Sequence, residues 1–293
     1  MKVGLYNLEP FVRNLALDKI RIYHERKGDT VAACGPMETL QYDLVYASSI
    51  FDWTGKRYLT PNMVVGGTGI NITTTLPPEI DCIEPHLNYG YTTRGCFRNC
   101  PFCVVKQKEG ELRAVGDIES LWDGESRDIT LLDNNALGLL EHFERNCKQA
   151  IEHHLKLDWN QGLDHRILTP EIVDLLKVTP HKEYRFAFDH PSYAGTVENA
   201  IKLLQSKGIN RAAWYVLVGF NTTFEEDLFR LNILRAHKQN AYVQRYRSKT
   251  KKLGSKYIVL AEWANRHKIF YSMTWEQFLK LPENRMVGAE TLV

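Results

Sequence analysis

The sequence predicts an α/β protein in which a partial (β/α)6 TIM-like barrel follows a small Rossmann-like α/β domain and precedes a C-terminal helical cap. The first observation is a regular alternation of short apolar runs with helix-like segments between residues 88 and 250. Such alternation is typical of βαβ units and a parallel sheet. The second is a shorter α/β pattern over residues 1–80, followed by a stretch rich in Thr and Pro. We therefore expect domains at 1–80, 85–250 and 251–293.

Charge and composition indicate a globular chain without a strong preference for polyanions or membranes. The 293 residues include 37 Lys+Arg and 35 Asp+Glu, which gives a formal net charge of +2, and 44% are hydrophobic. No apolar run is long enough for a membrane helix, and the first residues lack the apolar stretch of a signal peptide. We expect the protein to be cytoplasmic. Thiols stay reduced in the cytoplasm.

The N-terminal pattern predicts strands at 3–6, 43–48 and 63–65 and a helix at 15–24. From residue 88 on, the predicted strands are 89–93, 129–133, 155–159, 184–188, 212–218 and 241–245. Helix-like segments lie in most of the gaps between them, and the C-terminal cap contains a helix candidate at 256–266. In a barrel of this kind, the reactive residues lie at the carboxyl ends of the strands.

Three cysteines follow the first predicted barrel strand within eight residues: Cys96, Cys100 and Cys103. In a reducing compartment, such clustering indicates metal before it indicates disulfides. A structural zinc site takes four ligands, and His86 or Cys82 is available as the fourth. A [4Fe-4S] cluster normally takes four cysteines, so three would leave one iron without a protein ligand. The spacing alone leaves both kinds of site open.

The segment 92–103, TTRGCFRNCPFC, resembles the cluster motif of the radical S-adenosylmethionine superfamily, CxxxCxxC with an aromatic residue, here Phe102, before the last cysteine. The resemblance covers roughly residues 85–250. It implies that the three cysteines hold a [4Fe-4S] cluster whose open iron is chelated by S-adenosylmethionine. It further implies reductive cleavage to methionine and a 5′-deoxyadenosyl radical that abstracts hydrogen from a substrate. A low-potential donor such as flavodoxin or ferredoxin would be the electron-transfer partner.

The resemblance also implies contacts to S-adenosylmethionine beyond the cysteine motif. After the second barrel strand, Asp133 and Asn134 are expected near the cofactor's ammonium group, although both also suit a helix cap. After the third, Gln161 is expected near the ribose. Arg166 is expected near the methionine carboxylate, for which a guanidinium fork is well suited. Phe102 and Asp164 are also expected among the cofactor contacts. A surface ion pair between Asp164 and Arg166 is the alternative.

Two later strands complete the expected site. Gly219 follows the fifth barrel strand, where the resemblance places the adenine and where a glycine permits close approach. A strand-to-loop turn explains the same glycine. Asp189 and His190 follow the fourth strand, and we expect them to contact substrate at the barrel mouth. A turn before Pro191 is the alternative for these two residues.

The N-terminal pattern is similar in outline to the cobalamin-binding domain of one branch of this superfamily. Residues 43–49 and 66–69 carry that similarity. The unit is short for a complete doubly wound domain, and it lacks the Asp-x-His-x-x-Gly motif that supplies a cobalt ligand. We therefore expect a degenerate domain that does not bind cobalamin.

Other functions remain open from the sequence. One is an RNA- or peptide-modifying radical methylase or methylthiotransferase-like enzyme; the latter would need a second cluster, for which only Cys34 and Cys82 lie upstream of the motif. Another is a non-catalytic zinc- or iron–sulfur-binding nucleic-acid adaptor. A basic run after the sixth strand suits an RNA partner, but a solvated loop explains it too. Its residues are Arg245, Arg247, Lys249, Lys251 and Lys252.

Overall fold

Parallel β-sheets organise both halves of the chain. The computed structural model describes residues 1–247 and 252–284. Within these residues the fold divides into two units, Met1–Ile129 and a second that begins at Thr130. None of the helices in the described ranges is long and apolar enough to cross a membrane.

The first unit contains seven strands and four short or medium helices among its residues. The strands are β1 Lys2–Asn7, β2 Thr30–Ala33, β3 Leu44–Ser48, β4 Met63–Gly66, β5 Tyr89–Gly90, β6 Thr93–Arg94 and β7 Arg113–Ala114. The helices are α1 Leu15–Arg26, α2 Pro78–Asp81, α3 Val105–Glu109 and α4 Ile118–Leu121.

Strands β1 to β4 form a parallel sheet in the order β2-β1-β3-β4. Helix α1 begins after Asn14, whose side chain accepts a hydrogen bond from the Leu17 amide at 3.3 Å, and buries Leu17 and Ile20 in a cluster with Val3 and Leu5. The strands predicted at 3–6, 43–48 and 63–65 are confirmed. Strand β2 was not predicted: its apolar run, residues 31–34, is short, and its side chains are exposed or only partly buried.

The first predicted barrel strand, 89–93, is wrong as one continuous element. The structure has two separate strands of two residues, β5 and β6, and β6 pairs in the antiparallel direction with β7. After the cysteine motif the chain returns to β6, where the Val115 amide donates a hydrogen bond to the Thr92 carbonyl at 2.9 Å. A local apolar run does not reveal such a pairing with residues about twenty positions later.

The second unit alternates strands and helices along the chain. Its strands are β8 Asp128–Leu131, which begins just before the boundary, β9 Lys156–Trp159, β10 Arg185–Ala187, β11 Ala213–Val218 and β12 Asn240–Arg245. Its helices are α5 Leu140–Glu152, α6 Pro170–Val178, α7 Ala194–Ser206, α8 Phe224–Ala236, α9 Ser255–Asn265, α10 His267–Ser272 and α11 Trp275–Leu279. The predicted strand and helix alternation is confirmed.

Strands β10, β11 and β12 form a parallel sheet in sequence order. Parallel bridges from Leu157 to His181 and from Leu163 to Phe186 continue this order back toward β9. Phe186, Trp214, Val216 and Val218 are fully buried and alternate with partly buried residues, so one face of β10 and β11 packs into the interior.

The C-terminal helices cover the edge of this sheet. The Asn265 side chain of α9 accepts from the Val243 amide at 2.6 Å and donates to the Val243 carbonyl at 3.3 Å. His267 lies 3.1 Å from the Ala241 carbonyl. These contacts satisfy backbone groups that an edge strand would otherwise expose. The helix predicted at 256–266 is confirmed.

A buried glutamate organises the carboxyl edge of the first sheet. Glu9, just after β1, accepts hydrogen bonds from the Ser49 hydroxyl at 2.8 Å and the Thr54 hydroxyl at 2.5 Å. It also accepts from the amides of Ile50 at 3.0 Å and Phe51 at 3.3 Å. Burial acts to raise the pKa of Glu9, but these hydrogen bonds outweigh it and lower the pKa below its usual value of 4.5. Glu9 therefore holds the loop after β3 against the end of β1.

We expect Glu9→Gln to destabilise the first unit by about 1–2 kcal/mol at neutral pH, because hydrogen bonds to an ionised acceptor are the stronger ones. A lowered folded-state pKa contributes stability above the unfolded value of 4.5, and that stability is lost as pH falls through the folded pKa. The difference between wild type and Glu9→Gln should therefore shrink in acid. Hydrogen exchange of the Ile50 and Phe51 amides against pH measures it.

The exposed Glu79→Gln variant of α2 is the matched control and should change neither amide. An effect of Glu9→Gln that is equally large at pH values well below 4.5 would contradict the assignment.

Candidate functional site

The cysteine motif lies in a loop that is closed at its base by strands β6 and β7. Arg94 pairs with Arg113, and the Cys96 amide donates to the Gly110 carbonyl at 3.3 Å. Gly95 has φ +83°, and a Cβ there would lie 2.2 Å from the Glu111 carbonyl oxygen. Closure of the loop thus requires the glycine before the first cysteine. We call this loop, residues 95–112, the cysteine loop.

The three thiols of the motif are accessible to different degrees. Cys96 and Cys100 are half-buried and Cys103 is exposed. The Arg98 amide donates to Cys96 Sγ at 3.3 Å, and the Cys103 amide donates to the Cys100 carbonyl at 3.0 Å. Phe102 is half-buried between the last two cysteines. These contacts fold the motif into a tight turn that keeps all three sulfurs on one short segment.

The donor side chains of the cysteine loop fit a multi-iron cluster better than a single metal ion. Among residues 1–247 and 252–284, no three His, Cys, Asp or Glu side chains converge closely enough to hold one metal ion. A [4Fe-4S] cluster binds each thiolate at a different iron, so its ligands need not converge on one point. Three accessible thiols on an anchored loop fit that requirement. By contrast, burial raises the pKa of the Cys147 thiol to about 12, and that residue belongs to the interior of the second unit.

In the second unit, the structure brings Asn135, Asp164 and Arg166 together. Arg166 Nε donates to Asp164 Oδ1 at 2.6 Å, and a second guanidinium nitrogen donates to Oδ2 at 3.1 Å. The Asn135 amide nitrogen lies 3.5 Å from Asp164 Oδ2. Asp164 and Arg166 form the expected ion pair, but it is not a surface pair, since the Asp164 side chain is only 5% exposed. Arg166 also lies over the Tyr193 ring, 5.3 Å from its centroid.

The other residues predicted to contact S-adenosylmethionine differ in accessibility. Asp133 is buried after β8, Asn134 is half-buried, and Gln161 is exposed after β9. Gly219 is buried with φ +74°, and a Cβ there would lie 2.5 Å from a Leu253 methyl carbon. Close packing in the loop after β11 therefore explains Gly219.

Asp189 and His190 lie at the carboxyl end of β10. Asp189 Oδ1 accepts from the Leu217 amide at 3.2 Å. Burial raises the pKa of Asp189, while that amide and the charges of Arg230 and Arg166 act to lower it. His190 Nδ1 accepts from the Ser192 amide at 3.2 Å, so His190 caps the short turn that follows. The net effect of these surroundings is a pKa of Asp189 above its usual value.

Sequence reasoning missed the fully buried ion pair of Asp227 and Arg230, both 0% exposed. Asp227 accepts from the Gly219 amide at 2.9 Å and from the Thr222 hydroxyl at 2.5 Å. Arg230 donates to the Leu217 carbonyl at 2.7 Å and to the Phe188 carbonyl. The pair fixes the ends of β10 and β11 beside Asp189. Acidic and basic residues three positions apart are common on exposed helix surfaces. The sequence therefore carries no signal that the pair of Asp227 and Arg230 is buried.

The basic run is only partly described. Arg245 ends β12 and is half-buried, whereas Arg247 and Lys252 are exposed. Lys249 and Lys251 lie outside the described residues. The prediction of an RNA partner at this run therefore stays a prediction.

No family model matches this chain, and no curated protein matches it. Its fold is similar to the solved structure of the radical S-adenosylmethionine methyltransferase TsrM from Kitasatospora setae, with cobalamin and a [4Fe-4S] cluster bound. The match has a TM-score of 0.62 at 14% identity and covers 83% of this chain and 74% of that chain. At this identity, the similarity establishes the fold.

The comparison corrects one expectation from the sequence. The N-terminal domain was expected not to bind cobalamin, and this prediction is contradicted by a neighbour of the same fold that contains cobalamin. The expectation relied on the length of the unit and on a missing histidine motif. Neither the length of the unit nor a ligand motif determines the fold. The structure has a four-stranded parallel sheet, whereas the sequence predicted three strands.

We expect Arg230→Met to destabilise the second unit by about 3–5 kcal/mol, because removal of one partner leaves a buried, uncompensated carboxylate. Urea unfolding followed by tryptophan fluorescence measures the effect. The double variant Asp227→Leu with Arg230→Met should recover part of the loss, because it removes the orphaned charge. Lys202→Met, at an exposed position of α7, is the control and should stay within about 0.5 kcal/mol of wild type. A single variant as stable as wild type would show that the pair does not fix these strand ends.

Proposed function

We propose that this chain is a radical S-adenosylmethionine enzyme whose cysteine loop holds a [4Fe-4S] cluster through Cys96, Cys100 and Cys103. The observation that carries the proposal is the anchored loop with three accessible thiols, in a chain whose fold is similar to a cluster-containing radical enzyme. The chemistry that such a cluster supplies when bound is one-electron reduction of the sulfonium of S-adenosylmethionine. Low-potential iron–sulfur centres reach the range that this reduction requires.

The parallel strands of the second unit are proposed to be barrel strands, with the cofactor and substrate contacts at their carboxyl ends. There, Asp164 orients the Arg166 fork through two hydrogen bonds, which suits Arg166 to bind the cofactor's carboxylate. Asp133, Asn134, Gln161 and Gly219 are proposed as further contacts. Asp189, whose Oδ1 accepts a hydrogen bond from the Leu217 amide, and His190 are proposed as substrate contacts. Arg230 and Asp227 hold the ends of β10 and β11 in place.

Anaerobic reconstitution with iron and sulfide tests the proposal. We expect about four irons per chain, a brown chromophore, and 5′-deoxyadenosine release that depends on reductant. Cys103→Ala should lose most of the iron and all of the release. About eight irons per chain would instead indicate a second cluster, and a colourless zinc protein would favour the nucleic-acid adaptor.

Cys82→Ser and His86→Ala are the matched controls, since both positions were candidates for a fourth ligand. Both variants should keep wild-type iron content and release 5′-deoxyadenosine. Loss of iron in either would show that all coordination positions are filled by protein, which would refute direct binding of S-adenosylmethionine.

A second candidate within this class is methyl transfer assisted by cobalamin at the first unit. It is favoured by the cobalamin in the neighbour of similar fold. In open α/β sheets, ligands bind where the strand order reverses, which here lies between β1 and β3. Just beyond β3, the rings of Phe51 and Trp53 stack at 4.7 Å, and Trp53 is 48% exposed. This edge therefore offers a flat apolar surface for a macrocycle.

Titration of the full chain with hydroxocobalamin, followed by tryptophan quenching and by the cobalamin spectrum, tests this candidate. We expect binding that weakens about tenfold in Trp53→Ala, since loss of an aromatic contact of about 1.4 kcal/mol corresponds to that factor. Val64→Ala removes an exposed apolar side chain from the middle of β4 and should leave binding unchanged. No binding by the wild-type chain would reject the candidate without affecting the cluster assignment.

A further inference from the structure

The cysteine loop is positioned without a hydrophobic core of its own. None of residues 96–117, all of which the structure describes, is buried, and α3 within the loop buries no side chain. The ladder at its base is two residue pairs long. Ordering a backbone segment costs about 1–2 kcal/mol per residue, so other interactions must hold a loop of this length in place.

Arg94 makes the strongest set of such interactions. One terminal nitrogen of its guanidinium donates to both oxygens of the Asp81 carboxylate, at 3.0 Å and 2.9 Å, and the opposite charges strengthen this contact. Arg94 Nε lies 3.4 Å from Glu109 Oε2, at the end of α3. The same guanidinium lies 4.9 Å from the centre of the Tyr91 ring. One side chain, two residues before Cys96, therefore joins both ends of the cysteine loop to α2.

Two lysines extend this network to the segment before the loop. Lys19 of α1 donates to the Asp81 carbonyl, and its Nζ lies 3.8 Å from the Asp81 carboxylate. Lys108 of α3 donates to the Thr74 carbonyl. The loop is thus tied by polar contacts to α1, to α2 and to the chain that precedes α2, all within the first unit.

We propose that Asp81 and Arg94 form an ionic clamp that positions the cysteine loop and that balances the charge beside it. The part that concerns the cluster rests on the proposed function. Asp81 and Arg94 together carry no net charge. Loss of either side chain therefore leaves the unpaired charge of the other near the cysteines. The reduction potential of an iron–sulfur cluster responds to the local charge. Both residues are positioning residues, since neither is a ligand.

The first experiment is hydrogen exchange of the full chain without iron, which reports positioning independently of any cluster. Asp81→Asn, Arg94→Gln and Arg94→Lys should each accelerate exchange at the Cys96 and Val115 amides. Lysine carries a single ammonium group, which cannot lie against both Asp81 and Glu109 as the guanidinium does. The exposed pair of Arg21 and Glu25 on α1 provides matched charge controls, Arg21→Gln and Glu25→Gln, which should leave these amides unchanged. Wild-type exchange rates in the Asp81 and Arg94 variants would overturn the clamp.

The second experiment is a potentiometric titration of the reconstituted proteins, followed by electron paramagnetic resonance. Asp81→Asn should shift the midpoint potential to more positive values, and Arg94→Gln should shift it to more negative values. The double variant should return toward the wild-type potential while its loop amides still exchange rapidly, and Arg94→Lys should keep the wild-type potential. Shifts of the same sign in both single variants would refute the charge-balancing role.

These outcomes separate the two proposals. A wild-type chain that binds no iron would reject the radical enzyme, and the exchange data would still decide whether the clamp positions the loop. A wild-type chain with a cluster but with unchanged exchange in all variants would reject the clamp and leave the radical enzyme standing.

Discussion

The backbone groups at the carboxyl ends of parallel strands must find hydrogen-bond partners, and each unit meets this constraint with a buried charged side chain. In the first unit, Glu9 accepts from the amides of Ile50 and Phe51 at the end of β3. In the second, Asp227 accepts from the Gly219 amide, and Arg230 donates to the carbonyls of Leu217 and Phe188. Unpaired backbone groups in these places would be costly, so the fold depends on these carboxylates and this guanidinium.

The cysteine loop follows a different principle from these buried ends. Residues 96–117 contribute nothing to the core, and the contacts of Arg94, Lys19 and Lys108 replace apolar burial. Loops that carry chemistry are commonly set on a rigid scaffold in this way, because a surface position keeps the reacting groups accessible. Polar contacts at the base of the loop also place charges next to the reacting groups. The residues at the base of the loop therefore influence the electrostatic potential at the cysteines.

The correction about cobalamin has a physical basis. A ligand motif describes one way to bind the metal of a cofactor, whereas the crevice for the cofactor comes from the strand order and from the loops at the carboxyl edge. Strand β2 was not predicted from its short apolar run, so the expected sheet lacked one of its four strands. With β2 in place, the sheet has the order β2-β1-β3-β4 and a point of reversal at Glu9 and Ser49, where Phe51 and Trp53 stack nearby.

The sequence by itself determined the features that depend on neighbours along the chain: the alternation of strands and helices, the spacing of Cys96, Cys100 and Cys103, and the glycine before them. These patterns are local because strand and helix periods and loop closure involve only nearby residues. The tertiary structure alone decided which charges meet. The pairs Asp227–Arg230 and Asp81–Arg94 and the hub at Glu9 require groups that the packing of the elements brings together, as does the division of residues 89–94 into two short strands. Burial gives these contacts their strength, and burial is a property of the fold rather than of the local sequence.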